Sequence, residues 1–148
     1  MKIFEKGFYF ASFDLKSGYH HISMQEDDWK YLGFAWEIEG QENYFVFVVM
    51  PFGLSTTSYA FTKVVRPIVK RWSGMGIRCV VYLDDGIFGS SQKKVTAYVS
   101  LQIRQDLEKA GFTINDEKSK LYATQVGQWL GFIIDTKNYV FKVPEEKK

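Results

Sequence analysis

Cysteine, proline and net charge are all scarce in this sequence, and the first two shortages exclude an internal disulfide and a proline-rich linker. Cys79 is the only cysteine, so no internal disulfide can form, and its apolar neighbours predict a buried, unreactive thiol. The three prolines form no linker that would divide the chain. A formal net charge of +2 neither favours nor excludes a nucleic-acid partner, because such binding depends on where the basic groups cluster.

Long apolar segments are missing as well. No stretch approaches the roughly 18 consecutive apolar residues of a membrane-spanning helix, and the first residues lack the apolar region of a signal peptide. We therefore expect an intracellular protein, cytoplasmic or nuclear, that is not secreted and does not act at a membrane.

The residues that are present describe a folded domain. The 148 residues are 46% hydrophobic, 18% aromatic and 24% charged, which is typical of a globular protein with its own core. The sequence contains no internal repeat and no low-complexity tract. It therefore predicts one domain over residues 1–148.

Hydrophobic periodicity predicts an alternation of strands and helices. Strands are expected over 8–14, 31–39, 43–50, 77–82, 86–89, 112–114, 128–134 and 139–143, with a hairpin loop at 40–42. One helix is expected over 55–72, opened by N-cap hydroxyls and kinked or ended early by Pro67, and a second over 93–110, stopped by Gly111. Without the first hairpin and the tail, the order is strand, helix, strand, strand, helix, strand. This order predicts an α+β fold of the ferredoxin-like (split βαβ) type, with an antiparallel sheet and two helices on one face.

The stretch VVYLDDGIFGS, residues 80–90, holds an unusual pair of carboxylates. Asp85-Gly86 between two apolar runs predicts a tight hairpin turn, with glycine supplying a positive φ. Turn chemistry does not explain Asp84, because adjacent like charges at a strand end repel each other. In the predicted fold, Asp14 at the end of the first strand lies beside Asp84 and Asp85.

Three carboxylates without basic partners would repel one another, and a hard divalent cation is the usual relief. Two Mg²⁺ ions, or Mn²⁺ in their place, can clamp the attacking and leaving oxygens of a phosphoryl transfer. On the residues alone, this metal site and a solvated hairpin tip with an unrelated Asp14 remain equal alternatives.

Five segments resemble, in order and approximate spacing, the successive palm motifs of reverse transcriptases: SFDLKSGYHHISM, MPFGLSTTSYAF, YLDD, AGFTINDEKSKL and WLGF. Over about residues 8–141 the chain resembles the palm of retroelement polymerases of the long-terminal-repeat or DIRS type. The resemblance implies a palm without separate fingers, thumb or ribonuclease H domains. It also implies a nucleotidyltransferase, an RNA-directed DNA polymerase.

The resemblance assigns catalytic roles to a few residues. Asp14 and Asp84 match the two metal-binding aspartates, and Asp85 matches the neighbouring carboxylate of the same motif. The backbone carbonyl of Leu15 matches a further metal ligand in the nucleotide site. Lys118 matches a lysine that protonates departing pyrophosphate, although a lysine in such a polar segment is equally well explained as a solvated loop residue.

The resemblance also assigns substrate contacts. Tyr19, five residues after Asp14, matches the aromatic residue that blocks a ribose 2′-hydroxyl, which implies use of deoxynucleotides. Phe52 and Gly53 stand where retroviral enzymes commonly have Gln-Gly, so one polar contact near the incoming nucleotide is left unassigned. The turn that positions the primer's 3′ end, the primer grip, is matched by Trp129, Leu130 and Gly131.

The implied reaction is the attack of a primer 3′-hydroxyl on the α-phosphate of a dNTP, with two Mg²⁺ ions as cofactors. The implied partners are an RNA or DNA template, a DNA or RNA primer, dNTP, and the fingers and thumb of a longer polymerase. Two alternatives stay open. One is a catalytically inactive relic or co-opted ferredoxin-like binding module, and the other is a different palm nucleotidyltransferase such as an RNA polymerase.

Two further groups of residues have no assigned role. His20 and His21 are adjacent, so they point to opposite sides of an extended segment and form a poor joint metal site. The basic residues of the first helix either contact template phosphates or form a solvated helix face: Lys63, Arg66, Lys70 and Arg71.

Overall fold

Strands and helices alternate along residues 5–145, the part of the chain that this computed structural model describes. The strands are β1 (Tyr9–Asp14), β2 (Gly33–Ile38), β3 (Gln41–Val46), β4 (Arg78–Tyr82), β5 (Asp85–Ser90), β6 (Lys120–Thr124), β7 (Val126–Trp129), β8 (Phe132–Asp135) and β9 (Val140–Lys142). The helices are α1 (Thr57–Gly74) and α2 (Lys93–Lys109), and two short 3₁₀-helices cover Gly18–His21 and Glu26–Tyr31. The mixed helix and strand architecture expected from the sequence is confirmed.

The central sheet is antiparallel, and its strand order is β4-β5-β1-β6. β1 and β5 pair along their full length, from Tyr9 opposite Ser90 to Asp14 opposite Asp85. β2 and β3 form a separate two-stranded sheet, and β7, β8 and β9 form a three-stranded one. The central pairing therefore brings the end of the first strand to the start of β5.

Both helices pack on one face of the central sheet. Their shared core contains buried side chains from β1, β5, α1 and α2: Ala11, Phe13, Phe88, Phe61, Val65, Trp72, Ile103 and Leu107. Side chains alternate along a strand, so Phe10, Ser12 and Asp14 lie on the opposite face of β1. Phe10 joins Ile87 and Ile134 there in a second, smaller core. Neither α1 nor α2 is apolar enough along its length to cross a membrane.

The helix predictions are right about position and wrong about two details of α1. The helix continues through Pro67 to Gly74, so the early end expected from the proline is wrong. Pro67 and Lys63 are both exposed, so water can bind the carbonyl that loses its donor. The expected capping hydroxyl is also missing, because Thr56 makes no side-chain capping bond and the Thr57 hydroxyl donates to the Pro51 carbonyl instead.

The strand predictions fail at three loops. The first hairpin turns at Glu39-Gly40, both with positive φ, so the loop expected at 40–42 starts one residue earlier and ends two residues earlier than predicted. Residues 112–114 form only an isolated bridge from Ile114 to Leu15, and the outer strand of the central sheet is β6 instead. The strand expected over 128–134 is a hairpin, β7 and β8, because Leu130 and Gly131 both take positive φ.

Candidate active site

The hairpin of β4 and β5 carries the aspartate pair. Tyr82 pairs with Asp85, so the two-residue loop is Leu83-Asp84 and the turn predicted at Asp85-Gly86 is wrong. Leu83 takes a φ of 55°, a left-handed conformation that costs a leucine about 1–3 kcal/mol. Backbone strain of this size persists only where the surroundings hold it, and here it sets Asp84 at the hairpin tip.

Gly86 has a packing role rather than a turn role. It lies within β5, directly opposite Phe13 of β1. A Cβ atom at this position would lie 2.2 Å from the Phe13 ring. The ring therefore crosses the neighbouring strand where only a glycine leaves room, and this locks the register next to the aspartates.

The strand pairing brings the carboxylates together. Asp14 and Asp85 are directly opposite each other on neighbouring antiparallel strands, so their side chains share one face of the sheet. The backbone N–H of Leu15 donates to the Asp84 carbonyl over 2.9 Å, which ties the hairpin tip to the end of β1. All four residues predicted to bind metal therefore meet at this corner of the sheet.

Two residues that were not predicted to belong to the site hold the backbone of Asp14 in place. Its backbone N–H donates to the hydroxyl of Ser119 over 3.0 Å, and its carbonyl accepts from the N–H of Asn115 over 2.9 Å. Ser119 is buried and its own N–H donates to the Asn115 carbonyl. The segment that contains Lys118 is therefore hydrogen-bonded to the backbone of Asp14 on both sides of the lysine. Sequence reasoning missed this pair, whose only signal was a short polar side chain beside Lys118.

Burial is the main cause that raises the pKa of Asp85, and the negative charges of Asp84 and Asp14 raise it further. Lys118 acts in the opposite direction. The three aspartates are therefore close enough to repel one another, with one lysine as partial compensation. No group of three or more His, Cys, Asp or Glu side chains within residues 5–145 is already arranged to hold a metal ion.

A hard divalent cation fits this donor set. Mg²⁺ commonly uses only one or two protein carboxylates together with substrate phosphates, so a preformed cage of three side chains is not required. The repulsion from Asp84 and Asp14, which adds to the effect of burial on the pKa of Asp85, is also what a cation would remove.

Asp14, Asp85 and Lys118 line a cleft of about 730 Å³. The same cleft is lined by the tip of the β7–β8 hairpin, the predicted primer grip: Trp129, Leu130 and Gly131. Leu130 and Gly131 take φ values of 47° and 79°, as a two-residue type I′ turn requires. The tight turn expected from the sequence is thus present, and its role with a primer stays a prediction.

Tyr19 lies on the 3₁₀-helix Gly18–His21, next to the hairpin tip. Its ring makes edge-to-face contacts with Phe52 and Phe61, each with ring centroids 5.0 Å apart. A Cβ on Gly18 would lie 3.4 Å from the Asp84 Cβ, so the turn sits directly on the tip. Phe52 is 64% exposed, and Gly53 beside it takes a φ of 92°. The predicted nucleotide-contacting residues therefore cluster beside the aspartates.

Known proteins resemble this chain in sequence. The Retrovirus-related Pol polyprotein from transposon opus of Drosophila melanogaster is 34% identical over 127 residues, which are 85% of this chain and 12% of the polyprotein. The corresponding polyprotein from transposon gypsy, also of Drosophila melanogaster, is 29% identical over 143 residues, 97% of this chain and 13% of the polyprotein. The chain thus spans about one eighth of the length of these relatives.

Solved structures share the fold, and a family model matches the sequence. The foamy viral protease-reverse transcriptase in complex with RNA/DNA hybrid superposes with a TM-score of 0.76 at 22% identity, over 93% of this chain and 17% of that one. A second structure of it, in complex with double-stranded DNA, gives 0.78 at 22% identity, over 97% and 23%. The family described as "Reverse transcriptase (RNA-dependent DNA polymerase)" matches residues 3–134. The chain therefore belongs to the reverse transcriptase family.

Proposed function

We propose that this chain forms the catalytic palm of a retrotransposon RNA-directed DNA polymerase, which transfers nucleotides from dNTP to a primer 3′-hydroxyl. The observation that carries the proposal is the placement of Asp14 directly opposite Asp85, with the Asp84 carbonyl bound by the Leu15 N–H. The strand order β4-β5-β1-β6 with two helices on one face supports the finer classification as a ferredoxin-like (split βαβ) palm.

The carboxylates are proposed to act as metal ligands. Asp14, Asp84 and Asp85, with the carbonyl of Leu15, would hold Mg²⁺ or Mn²⁺. When bound, two such ions supply a lowered pKa for the attacking hydroxyl and positive charge for the leaving pyrophosphate. The protein's own contribution is to hold the backbone of these residues at one corner of the sheet, through the strand pairing and the Leu15 hydrogen bond.

Lys118 and the β7–β8 hairpin are proposed to act on opposite sides of the reacting bond. Lys118 already interacts with the carboxylate of Asp85. A lysine at this place can donate a proton to departing pyrophosphate. The rigid Leu130-Gly131 turn, on the wall of the same cleft, suits the holding of a primer strand. Nucleic acid is the proposed partner because the solved relatives are complexes with RNA/DNA hybrid and double-stranded DNA.

Tyr19 is proposed to select dNTP over rNTP. Its ring is fixed between Phe52 and Phe61 and its hydroxyl lies 3.4 Å from that of Ser58. A ring supported by these contacts is able to exclude a 2′-hydroxyl. The Phe52 ring stands where retroviral enzymes commonly have glutamine, and it supports Tyr19 instead of contacting the nucleotide by hydrogen bonds.

Primer extension on an RNA template tests the proposal. The chain is assayed with dNTP or rNTP and Mg²⁺, alone and with fingers and thumb segments of a related polymerase supplied in trans. We expect dNTP incorporation that Asp14→Asn and Asp84→Asn each abolish. Asp28→Asn, an exposed carboxylate on the 3₁₀-helix Glu26–Tyr31, is the matched control and should extend normally.

The other outcomes separate the alternatives. A preference for rNTP would identify an RNA polymerase. Folded wild-type protein that binds Mg²⁺ and a primer–template duplex but never extends the primer would contradict the polymerase proposal and identify a binding module. Full extension by Asp14→Asn would contradict the assignment of the metal ligands.

A further inference from the structure

The backbone of Thr113 forms hydrogen bonds to both ends of the turn that carries Tyr19. The N–H of Lys16, just before the turn, donates to the Thr113 carbonyl over 2.8 Å. The N–H of Thr113 donates to Nε2 of His21, the last residue of the turn, over 3.2 Å. Both backbone polar groups of one residue therefore hold the two ends of a short segment with Tyr19 inside. We call Lys16, His21 and Thr113 the clasp.

The clasp specifies which ring nitrogen of His21 carries the proton. A backbone N–H can only donate, so Nε2 must have a free lone pair to accept from Thr113. Nδ1 lies 3.2 Å from the Ser17 carbonyl, which can only accept, so Nδ1 must carry the hydrogen. The Thr113 hydroxyl also lies 3.2 Å from Nε2. In this neutral tautomer Nδ1 donates to the Ser17 carbonyl and Nε2 accepts from the Thr113 N–H, and a second proton on Nε2 would break the clasp.

Ring contacts connect the clasp to Tyr19. The His21 ring lies 5.6 Å from that of Phe112, and Phe112 contacts Phe61 at 6.0 Å. Phe61 in turn supports the Tyr19 ring at 5.0 Å. A loosened His21 would thus free both the backbone of the turn and the far end of this row of rings. The predicted catalytic residues do not include His21, and a histidine beside a second histidine gave no sequence signal for such a role.

We propose that His21, as the neutral Nδ1–H tautomer, is a positioning residue that holds Tyr19 and thereby sets the discrimination between dNTP and rNTP. This inference rests on the proposed polymerase function for its kinetic consequence. The tautomer of His21 and the hydrogen bonds of the clasp do not depend on polymerase activity, and NMR can measure both.

The first test is NMR on the whole chain with ¹⁵N-labelled histidine, at a pH where His21 is neutral. We expect protonated Nδ1 and unprotonated Nε2, slow hydrogen exchange of the Thr113 amide, and contacts from the Tyr19 ring to Phe52 and Phe61. In His21→Ala the Thr113 amide should exchange faster and the Tyr19 contacts should weaken. The opposite tautomer, or unchanged Tyr19 contacts in the variant, would overturn the proposal.

The second test measures the ratio of kcat/KM for dNTP over rNTP. His21→Ala should lower this ratio about fivefold, the equivalent of one lost hydrogen bond. His21→Gln should retain most of it, because the amide oxygen can accept from the Thr113 N–H. Thr113→Val keeps that N–H and removes only the hydroxyl 3.2 Å from Nε2, so it should lower the ratio less than His21→Ala.

A double variant separates positioning from general destabilisation. In a Tyr19→Ala background, His21→Ala should lower the ratio no further, because no ring remains to be positioned. An equal loss in both backgrounds, or a loss of stability with an unchanged ratio, would overturn the proposal while leaving the polymerase function intact. A wild-type chain that incorporates no nucleotide would contradict the polymerase function instead, and the NMR result would then decide on the clasp.

Discussion

Replacing Asp85 by asparagine should stabilise the chain when no divalent cation is present. Asp85 is partly buried and directly opposite Asp14, and burial and the two neighbouring aspartates raise its pKa above the ordinary value of 3.8. Like charges opposite each other on paired strands cost about 0.2–1 kcal/mol, so Asp85→Asn should gain that much in EDTA at pH 7. For a chain of this size the gain corresponds to a rise in Tm of up to about 2–4 °C.

The gain should depend on pH in a defined direction. Because the folded-state pKa of Asp85 is raised, ionisation of this carboxyl penalises the folded chain. The penalty is absent below the unfolded-state pKa near 3.8, appears as the pH rises towards the folded-state pKa, and is complete above it. The difference between Asp85→Asn and wild type should therefore shrink towards zero in acid. Urea unfolding followed by tryptophan fluorescence measures it.

Mg²⁺ should make wild type more stable than Asp85→Asn, the reverse of their order in EDTA. A ligand that binds only the folded chain at ten times its Kd adds about 1.4 kcal/mol of stability, and Asp85→Asn should receive less of this because it has lost a proposed ligand. Glu42→Gln is the matched control, since Glu42 lies directly opposite Glu37 in the exposed β2–β3 hairpin and should not alter the response to Mg²⁺. A variant that is less stable than wild type in EDTA, or that gains as much from Mg²⁺, would refute the reasoning.

Three further substitutions test the structure around the site. Trp72→Phe removes the buried hydrogen bond from the indole N–H to Asp106, 2.9 Å long, and should lower the unfolding free energy by about 1.5–3 kcal/mol in urea. Gly86→Ala should cost about 1–3 kcal/mol in the same assay, because the new methyl group clashes with the phenylalanine ring that covers it, and an unchanged stability would contradict that packing. Hydrogen bonds from the backbone and then the side chain of Asn138 lower the pKa of Asp135, so its contribution to stability is complete above the unfolded-state pKa near 3.8 and is lost as the pH falls through the folded-state value. Asp135→Ala should therefore be destabilised at pH 7 and approach wild type at low pH in circular dichroism measurements.

The periodic elements could be predicted from the sequence, and the turns could not. β1 follows a hydrophobic pattern whose residues are buried, so pattern and fold agree there. In α2 the apolar spacing located the helix and its buried residues Ile103 and Leu107, but the rest of the buried face is polar: Thr96, Ser100 and Asp106. The turns at Leu83-Asp84 and Leu130-Gly131 depend on a leucine in the left-handed region, which residue preferences disfavour. Gly86 was given a turn role because an aspartate–glycine pair usually has one, whereas a ring from the next strand requires the glycine. That contact joins β1 and β5, so nothing near Gly86 in the sequence could reveal it.

The position of the carboxylates could be predicted from the order of the strands and helices. The contacts that hold Asp14 could not be predicted. The order of strands and helices places Asp14 beside the hairpin, and the pairing of Asp14 with Asp85 bears this out. The side chain of Ser119 and the backbone of Asn115 both bind Asp14. These two residues lie in the segment that follows the strand expected at 112–114. That strand does not form, since β6 occupies the edge of the sheet instead. A single short hydroxyl side chain carries no pattern from which such a contact could be inferred.

The support of the aspartates comes from the backbone, and this bears on how the site would work. The backbones of Asp14 and Asp85 are fixed by strand pairing, and that of Asp84 by the hydrogen bond from Leu15. The aspartates repel one another before any cation arrives, since burial first and then the charges of Asp84 and Asp14 raise the pKa of Asp85. Because the backbone that carries the aspartates is already in place, cation binding would require only their side chains to rearrange, which costs little free energy. Cation binding to this chain should accordingly shift the ionisation of Asp85 while leaving the backbone of β1 and the hairpin unchanged.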